Sequence, residues 1–189
     1  SSTGGLGLII KYDSRDNIMS PSQGHYAKLE PMFYNKAFGG DFDYTKLQMS
    51  YIQPWQIGGI GRLTTTIEAG KTFGAVPLGL LSVIPGNQSY FSIYNTFSQL
   101  DFYEFVSDTY TSLNFEHNFN GRFLSRIPFL RKFNLREIVG IRGVWGEISD
   151  ENIALSTTTN PNSIPLVAPN DKVYYEYSFG VGNIFKIFR

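Results

Sequence analysis

Lys172-Val173-Tyr174-Tyr175-Glu176-Tyr177-Ser178-Phe179-Gly180-Val181-Gly182 alternates without a break. In an extended chain Val173, Tyr175, Tyr177, Phe179 and Val181 fall on one face, and Tyr174, Glu176, Ser178, Gly180 and Gly182 on the other. The first face is wholly apolar or aromatic; the second carries the acid and the small residues. A strand in a soluble domain has about 5–6 residues, whereas a tilted strand crossing a bilayer needs about 9–11. Period and length together predict a membrane-crossing strand.

The pattern recurs upstream. Strands are expected over 5–13, 25–35, 108–119 and 135–148, with another beginning near Ile184. Leu47, Met49 and Tyr51 alternate with Lys46, Gln48 and Ser50 in a strand that stops at Pro54-Trp55; Leu63, Thr65, Ile67 and Ala69 oppose Arg62, Thr64, Thr66 and Glu68. Long helices are absent from the pattern, so sheet edges must be removed by closure. The fold class expected is all-β, a transmembrane antiparallel β-barrel.

Charge settles the faces. Charge on a lipid face costs roughly 2–4 kcal/mol at mid-bilayer. Lys46, Arg62, Glu68, Glu116, Arg136, Arg142 and Glu176 share one parity, which we assign to the lumen; Glu137 breaks the pattern near a strand end. Tyr51, Trp55 and Tyr175 are candidates for aromatic girdles or ordinary strand aromatics.

Composition excludes several classes. Lys+Arg and Asp+Glu are 16 each, which gives no field for nucleic acid. Cysteine is absent, so disulfides and thiolate metal sites are impossible. The only histidines, His25 and His117, lie in no metal-ligand spacing, and we expect no metal, no cofactor and no enzymatic activity. Ser107, Asp108 and His117 make a catalytic triad on paper only. Gly4-Gly5-Leu6-Gly7 lacks the helix and lysine of a phosphate loop and reads as a strand entry.

Residues 73–107 form a long external or lumen-folded loop, and 149–171 a polar external loop. Glu104 and Asp108 close the first. They are read either as a latch docking it against Arg62, Arg136 or Arg142, or as a polar rim. Residues 125–132 mix basic and apolar side chains like a segment lying on a membrane surface. The chain starts at Ser1 and stops at Arg189 inside an apolar run, as expected of an excerpt of a longer polypeptide.

Tyr12-Asp13-Ser14-Arg15-Asp16-Asn17 followed by Pro21 and Gly24 resembles the turn signature of the BamA-type superfamily of outer-membrane barrels, which are assembly and secretion factors. The resemblance implies a sixteen-stranded barrel, with about eight strands of its second half here and the N-terminal domains and last strands missing. Gly86-Asn87-Gln88-Ser89-Tyr90, Glu104-Phe105-Val106-Ser107-Asp108, Phe119-Asn120-Gly121 and Leu135-Arg136-Glu137 resemble more closely an uncharacterised Bacteroidota family, in which a carboxypeptidase-regulatory-like domain precedes a BamA-like barrel. The Arg-Gly-aromatic tip that BamA-type proteins carry on their long external loop does not occur between Phe73 and Ser107. The insertase mechanism is therefore not carried over.

The function expected is a non-enzymatic outer-membrane barrel of a Gram-negative bacterium, structural or linked to assembly or export. Its partners would be outer-membrane lipids, lipopolysaccharide, and other outer-membrane or periplasmic proteins, with no nucleic acid. The alternatives are a passive channel or transporter gated by 73–107, and a soluble ligand-binding barrel.

Overall fold

The computed structural model describes residues 2–18, 20–84, 96–100, 105–159 and 172–183. Among them, in chain order, are β1 (Gly5–Gly7), β2 (Ile10–Asp13), β3 (Tyr26–Tyr34), β4 (Tyr44–Ile57), β5 (Gly61–Phe73), β6 (Ser82–Val83), β7 (Val106–Ser107), β8 (Thr109–Asn118), α1 (Pro128–Arg131), β9 (Arg136–Glu147), α2 (Asp150–Thr159) and β10 (Tyr174–Gly182). One antiparallel sheet runs β1-β3-β4-β5-β8-β9-β10, with β2 also on β3; β6 and β7 pair separately. The long strands form a meander of neighbours in sequence, so each is joined to the next by one turn or loop. Among the described residues β1 with β2 forms one edge and β10 the other, and closure is not seen.

Register carries the alternation across the whole sheet. Ile52 pairs with Thr66, Thr66 with Asn114, Asn114 with Arg142, and Arg142 with Glu176. The next level runs Ser50, Glu68, Ser112, Val144, Tyr174. These rows lie on one face, called inner here. The other face presents Leu29, Phe33, Leu47, Met49, Leu113, Phe115, Val139, Ile141, Tyr175, Tyr177 and Phe179, all exposed.

Burial is therefore inverted. Tyr177 and Phe179 are 73% and 76% exposed, while Glu176, Arg142 and Asn114 are 7%, 9% and 7% exposed. Two apolar clusters sit on the inner side at one end of the sheet. Tyr44 packs with Val76, Leu81 and Val106, and Val144 with Ile84, Phe97 and Leu100. Both are built largely from the loop between β5 and β8, which folds over the inner face.

Two prolines explain the departures from the expected strands. The first expected strand is split into β1 and β2. Leu8 donates to the Pro31 carbonyl at 3.0 Å, but Pro31 has no N–H to return. The register is unchanged across the gap. Conversely, β4 does not stop at Pro54-Trp55 but continues to Ile57. Hydrogen-bonding sides alternate along a strand, so Pro54 shares the β3-facing side with Ile52, the last residue of β4 that β3 pairs. The N–H it lacks has no partner to lose.

The loops carry more structure than expected. Part of 73–107 is ordered as β6, β7 and a 3-10 turn at Leu78–Leu80. The polar loop after β9 opens with the helix α2, which carries Asp150 and Glu151 in its first turn. Ser149 precedes these acids, and its carbonyl accepts the first helical bonds from Asn152 and Ile153, both at 3.1 Å. A serine before acids is a helix-start signal that strand patterning hides. The strand expected near Ile184 lies outside the described residues. No helix among those described is long and apolar enough to cross a membrane.

Replacing Pro31 with valine should supply the missing donor to Leu8 and fuse β1 with β2. We expect a gain of about 0.5–1.5 kcal/mol, read as a higher denaturant midpoint. An unchanged or lower midpoint would show that the break has another cause.

Candidate functional site: the polar inner face and its loop

The middle of the inner face is held by a cationic and an acidic side chain opposite each other in the β9–β10 register, Arg142 and Glu176. Both reach the backbone of the long loop. Arg142 Nη1 donates to the Thr96 carbonyl, and the Glu176 carboxylate accepts from Ser98 N at 2.9 Å and Gln99 N at 2.8 Å. The Tyr174 hydroxyl donates to Glu176 Oε1 at 2.9 Å. Phe97 and Phe105 meet the Tyr174 ring edge-on at 5.8 and 5.7 Å. A buried charge is tolerable when hydrogen-bonded. Here the loop's amides and a carbonyl supply those bonds, so seating the loop and burying the charges are one event.

A second anchor stands at the loop's two ends. Asp108 Oδ2 accepts from Ser149 N at 2.7 Å and from Asn152 Nδ2 at 2.9 Å, and Thr109 Oγ1 donates to Asp108 Oδ1 at 3.2 Å. Burial alone would raise the Asp108 carboxyl, but these donors outweigh it and hold it below the ordinary value. Asn152 Oδ1 in turn accepts from Val76 N at 2.8 Å. One buried asparagine thus joins the start of the loop, its end and α2.

Sequence reasoning missed Asn152, whose only signal is its place in the first turn of a serine-started helix. It also misplaced the partners of Asp108, which takes amides and a hydroxyl instead of an arginine. Arg62 and Arg136 begin β5 and β9, at the opposite end of the sheet from Asp108. Some ten residues of strand lie between, about 30 Å at ~3.3 Å per residue. Arg142 does hold the loop, through Thr96. Glu104 lies outside the described residues. Glu68 and Glu116 lie on the inner face in register with Ser112 and Thr64. The paper triad is not assembled. His117 stands at the far end of β8 from Ser107, against Phe119 with ring centroids 4.3 Å apart.

The end opposite the loop is stitched by the Asp13–Gly24 turn. Arg15 clasps Asp13 through Nε at 2.9 Å and Nη2 at 2.8 Å, and its guanidinium lies 4.7 Å from the Tyr26 ring centroid. Asp16 accepts from the Ser22 hydroxyl, from Ser22 N at 2.7 Å and from Gln23 N at 3.1 Å. Pro21 is buried. Gly24 has φ 78°, and a Cβ there would stand 2.0 Å from the Ser14 carbonyl oxygen, so only glycine fits. Arg62 reaches across from β5 to Ser20, donating to its hydroxyl at 2.8 Å. On the outer face at this end lie Tyr51 and Trp55, with the Tyr12, His25 and Tyr51 rings in a row at 5.1 and 6.0 Å. Tyr175 lies near the other end.

The family profile described as "Family of unknown function (DUF5686) C-terminal domain" matches residues 29–151, from within β3 into α2. No curated protein matches the chain. The crystal structure of BamA from Haemophilus ducreyi lacking POTRA domains 1-3 is similar in fold, with a TM-score of 0.61 at 13% identity, over 94% of this chain and 35% of that one. The chain thus spans about a third of that structure's length.

The donors around Asp16, chiefly the Ser22 hydroxyl, pull its carboxyl down to about 2. A carboxyl lowered in the folded state stabilises it above the unfolded value of about 3.9. That contribution is lost as pH falls toward 2. Asp16→Asn should therefore lower the unfolding temperature at pH 7, with a gap to the parent that narrows as the buffer is taken from pH 5 to pH 2. A gap independent of pH would assign the effect to shape alone.

Proposed function

The chain belongs to the DUF5686 family through its C-terminal domain, and from that premise we propose that it is part of the wall of a non-enzymatic β-barrel in the outer membrane of a Gram-negative bacterium. Its role would be structural or linked to assembly or export, and its source among the Bacteroidota. The observation that carries this reading is the inverted burial. A monomeric soluble protein rarely leaves a contiguous apolar face of this extent in water. A soluble ligand-binding barrel would need the opposite arrangement, with its apolar face covered. The fold likeness to BamA and the turn signature at Asp13–Gly24 support the barrel type. Acyl chains cover the outer face, lipopolysaccharide and phospholipid headgroups its rims.

The intact protein should sediment with outer membranes, resist extraction by carbonate, and migrate faster unheated than heated in detergent gels. Ile141→Arg, at the centre of the outer face, should cost about 2–4 kcal/mol of folding stability in bilayers. Thr64→Arg, on the inner face, should cost little. A freely soluble periplasmic product, or equal tolerance at both positions, would end this reading.

The loop held by Arg142 and Glu176 favours a second reading, a passive channel in which the loop obstructs the lumen. Arg142→Gln combined with Glu176→Gln removes both charges together, so neither is left buried without its opposite. In planar bilayers the double variant should then show higher conductance and more frequent opening than the parent. Identical traces would leave the structural reading alone.

A further inference from the structure

The link between β8 and β9 does not behave like the other turns at its end of the sheet. After Asn120 and Gly121, with φ 54° and 80°, the chain leaves the sheet through two short helical turns, Leu124–Arg126 and α1. Glu137 directs it. Glu137 pairs with Val181 on the outer-face parity, yet its side chain is buried, because its carboxylate accepts from Phe123 N at 3.0 Å and from Leu124 N. Phe123 meets the outer-face Phe119 ring at 5.2 Å. The segment is thus fixed on the apolar side of the sheet. This also explains why Glu137 departs from the charge parity of the inner face.

What the segment presents is chemically one-sided. No acidic residue occurs from 117 to 136, while Arg122, Arg126, Arg131, Lys132 and Arg136 do, in a chain whose net charge is zero. Arg126, Arg131 and Lys132 are exposed and form no ion pair among the described residues. Phe123, Ile127 and Phe129 are exposed beside them, at 51%, 47% and 66%. Lys132 lies over two rings, 4.9 Å from the Phe129 centroid and 5.3 Å from that of Phe133. An ammonium held on ring faces can stay at the level of headgroups while the rings go deeper. Exposed rings and unpaired cations on one short segment, continuous with an apolar wall, match an interfacial anchor.

We propose that residues 122–133 dock on an anionic phospholipid surface, at the bilayer boundary on the tight-turn side of the wall. Phe123, Ile127 and Phe129 would enter the boundary, and Arg126, Arg131 and Lys132 would contact phosphate groups. This rests on the reading of the sheet as a membrane wall, and adds a lipid-charge preference that the wall itself does not require. Each cation near such a surface strengthens association about fivefold.

These 189 residues hold no cysteine, so once any cysteine elsewhere in the intact protein is replaced by serine, one introduced cysteine carries the only label. Phe129→Cys carrying bimane replaces one ring with another; Phe115→Cys with the same label reports the wall itself. The intact protein is reconstituted in vesicles of phosphatidylcholine, with or without phosphatidylglycerol, and quenching by brominated acyl chains is read. We expect the label at 115 to be quenched in both lipids. The label at 129 should be quenched several-fold more strongly with phosphatidylglycerol, and that excess should vanish in 0.5 M salt and in R126Q/R131Q/K132Q. The salt arm needs no charge variant, so a misfolded triple variant does not decide the matter. Quenching at 115 with none at 129, or quenching at 129 indifferent to lipid charge and salt, overturns the anchor while the wall stands. No quenching at 115 overturns the wall, and the anchor with it.

Discussion

Every long strand among the described residues obeys one constraint: it turns largely apolar side chains to one face while its backbone groups are satisfied laterally by neighbouring strands. In the membrane wall proposed for this sheet, lipid would offer no hydrogen bonds, so a ladder that is merely adequate in water would be insufficient there. The two requirements are coupled by the pleat. A slip of one residue keeps the ladder but moves Arg142, Glu176 and Asn114 to the outer face and Ile141, Tyr177 and Leu113 to the inner. The six-strand row from Tyr26 through Ile52, Thr66, Asn114 and Arg142 to Glu176 is what a single common register looks like.

An inner face of that kind creates its own difficulty. Polar and charged side chains turned away from the apolar face still need partners, and an open sheet cannot supply them all from within. The loop after β5 answers part of this need. It brings backbone groups at Thr96, Ser98 and Gln99 to Arg142 and Glu176, and apolar side chains at Ile84, Phe97 and Leu100 to cover Val144. Desolvating two opposite charges side by side and capping each with main-chain groups fixes position more than it adds stability. The apolar contacts supply the adhesion, and the charges supply the address.

Strand existence, faces and the charge parity were legible because period two is written directly in residues such as Val173, Tyr175, Tyr177 and Phe179. Boundaries were less so, because proline reads as a stop. Whether Pro31 or Pro54 interrupts a strand depends on which neighbour its missing N–H would face, and that is a property of pairing, not of local sequence. The inner-face acids and arginines were identifiable as a set. Their partners were not, since Arg142 and Glu176 bind main-chain groups that any residue offers. Asp108 was singled out for its charge, but its partner Asn152 came from a helix whose start at Ser149 lay inside a segment that looked like featureless polar loop. Glu137 was noticed only as an exception, and the structure turns that exception into the bond that positions the 122–133 segment.

The two ends of the sheet are built by different physics. At the tight-turn end, side chains grip backbone or one another over short loops: Asp16 the 22–23 amides, Arg15 the Asp13 carboxylate, Arg62 the Ser20 hydroxyl, Glu137 the 123–124 amides. Directional bonds of this kind fix geometry tightly and tolerate little movement. At the other end, long segments are held largely by apolar contact around Tyr44 and Val144, which is non-directional and accommodates alternative packings. Among the described residues, Asp108, Asn152, Arg142 and Glu176 make directional bonds that hold the loop to the sheet and α2. A change at those four positions would therefore act on the seating of the loop while leaving the meander and its stitched base in place.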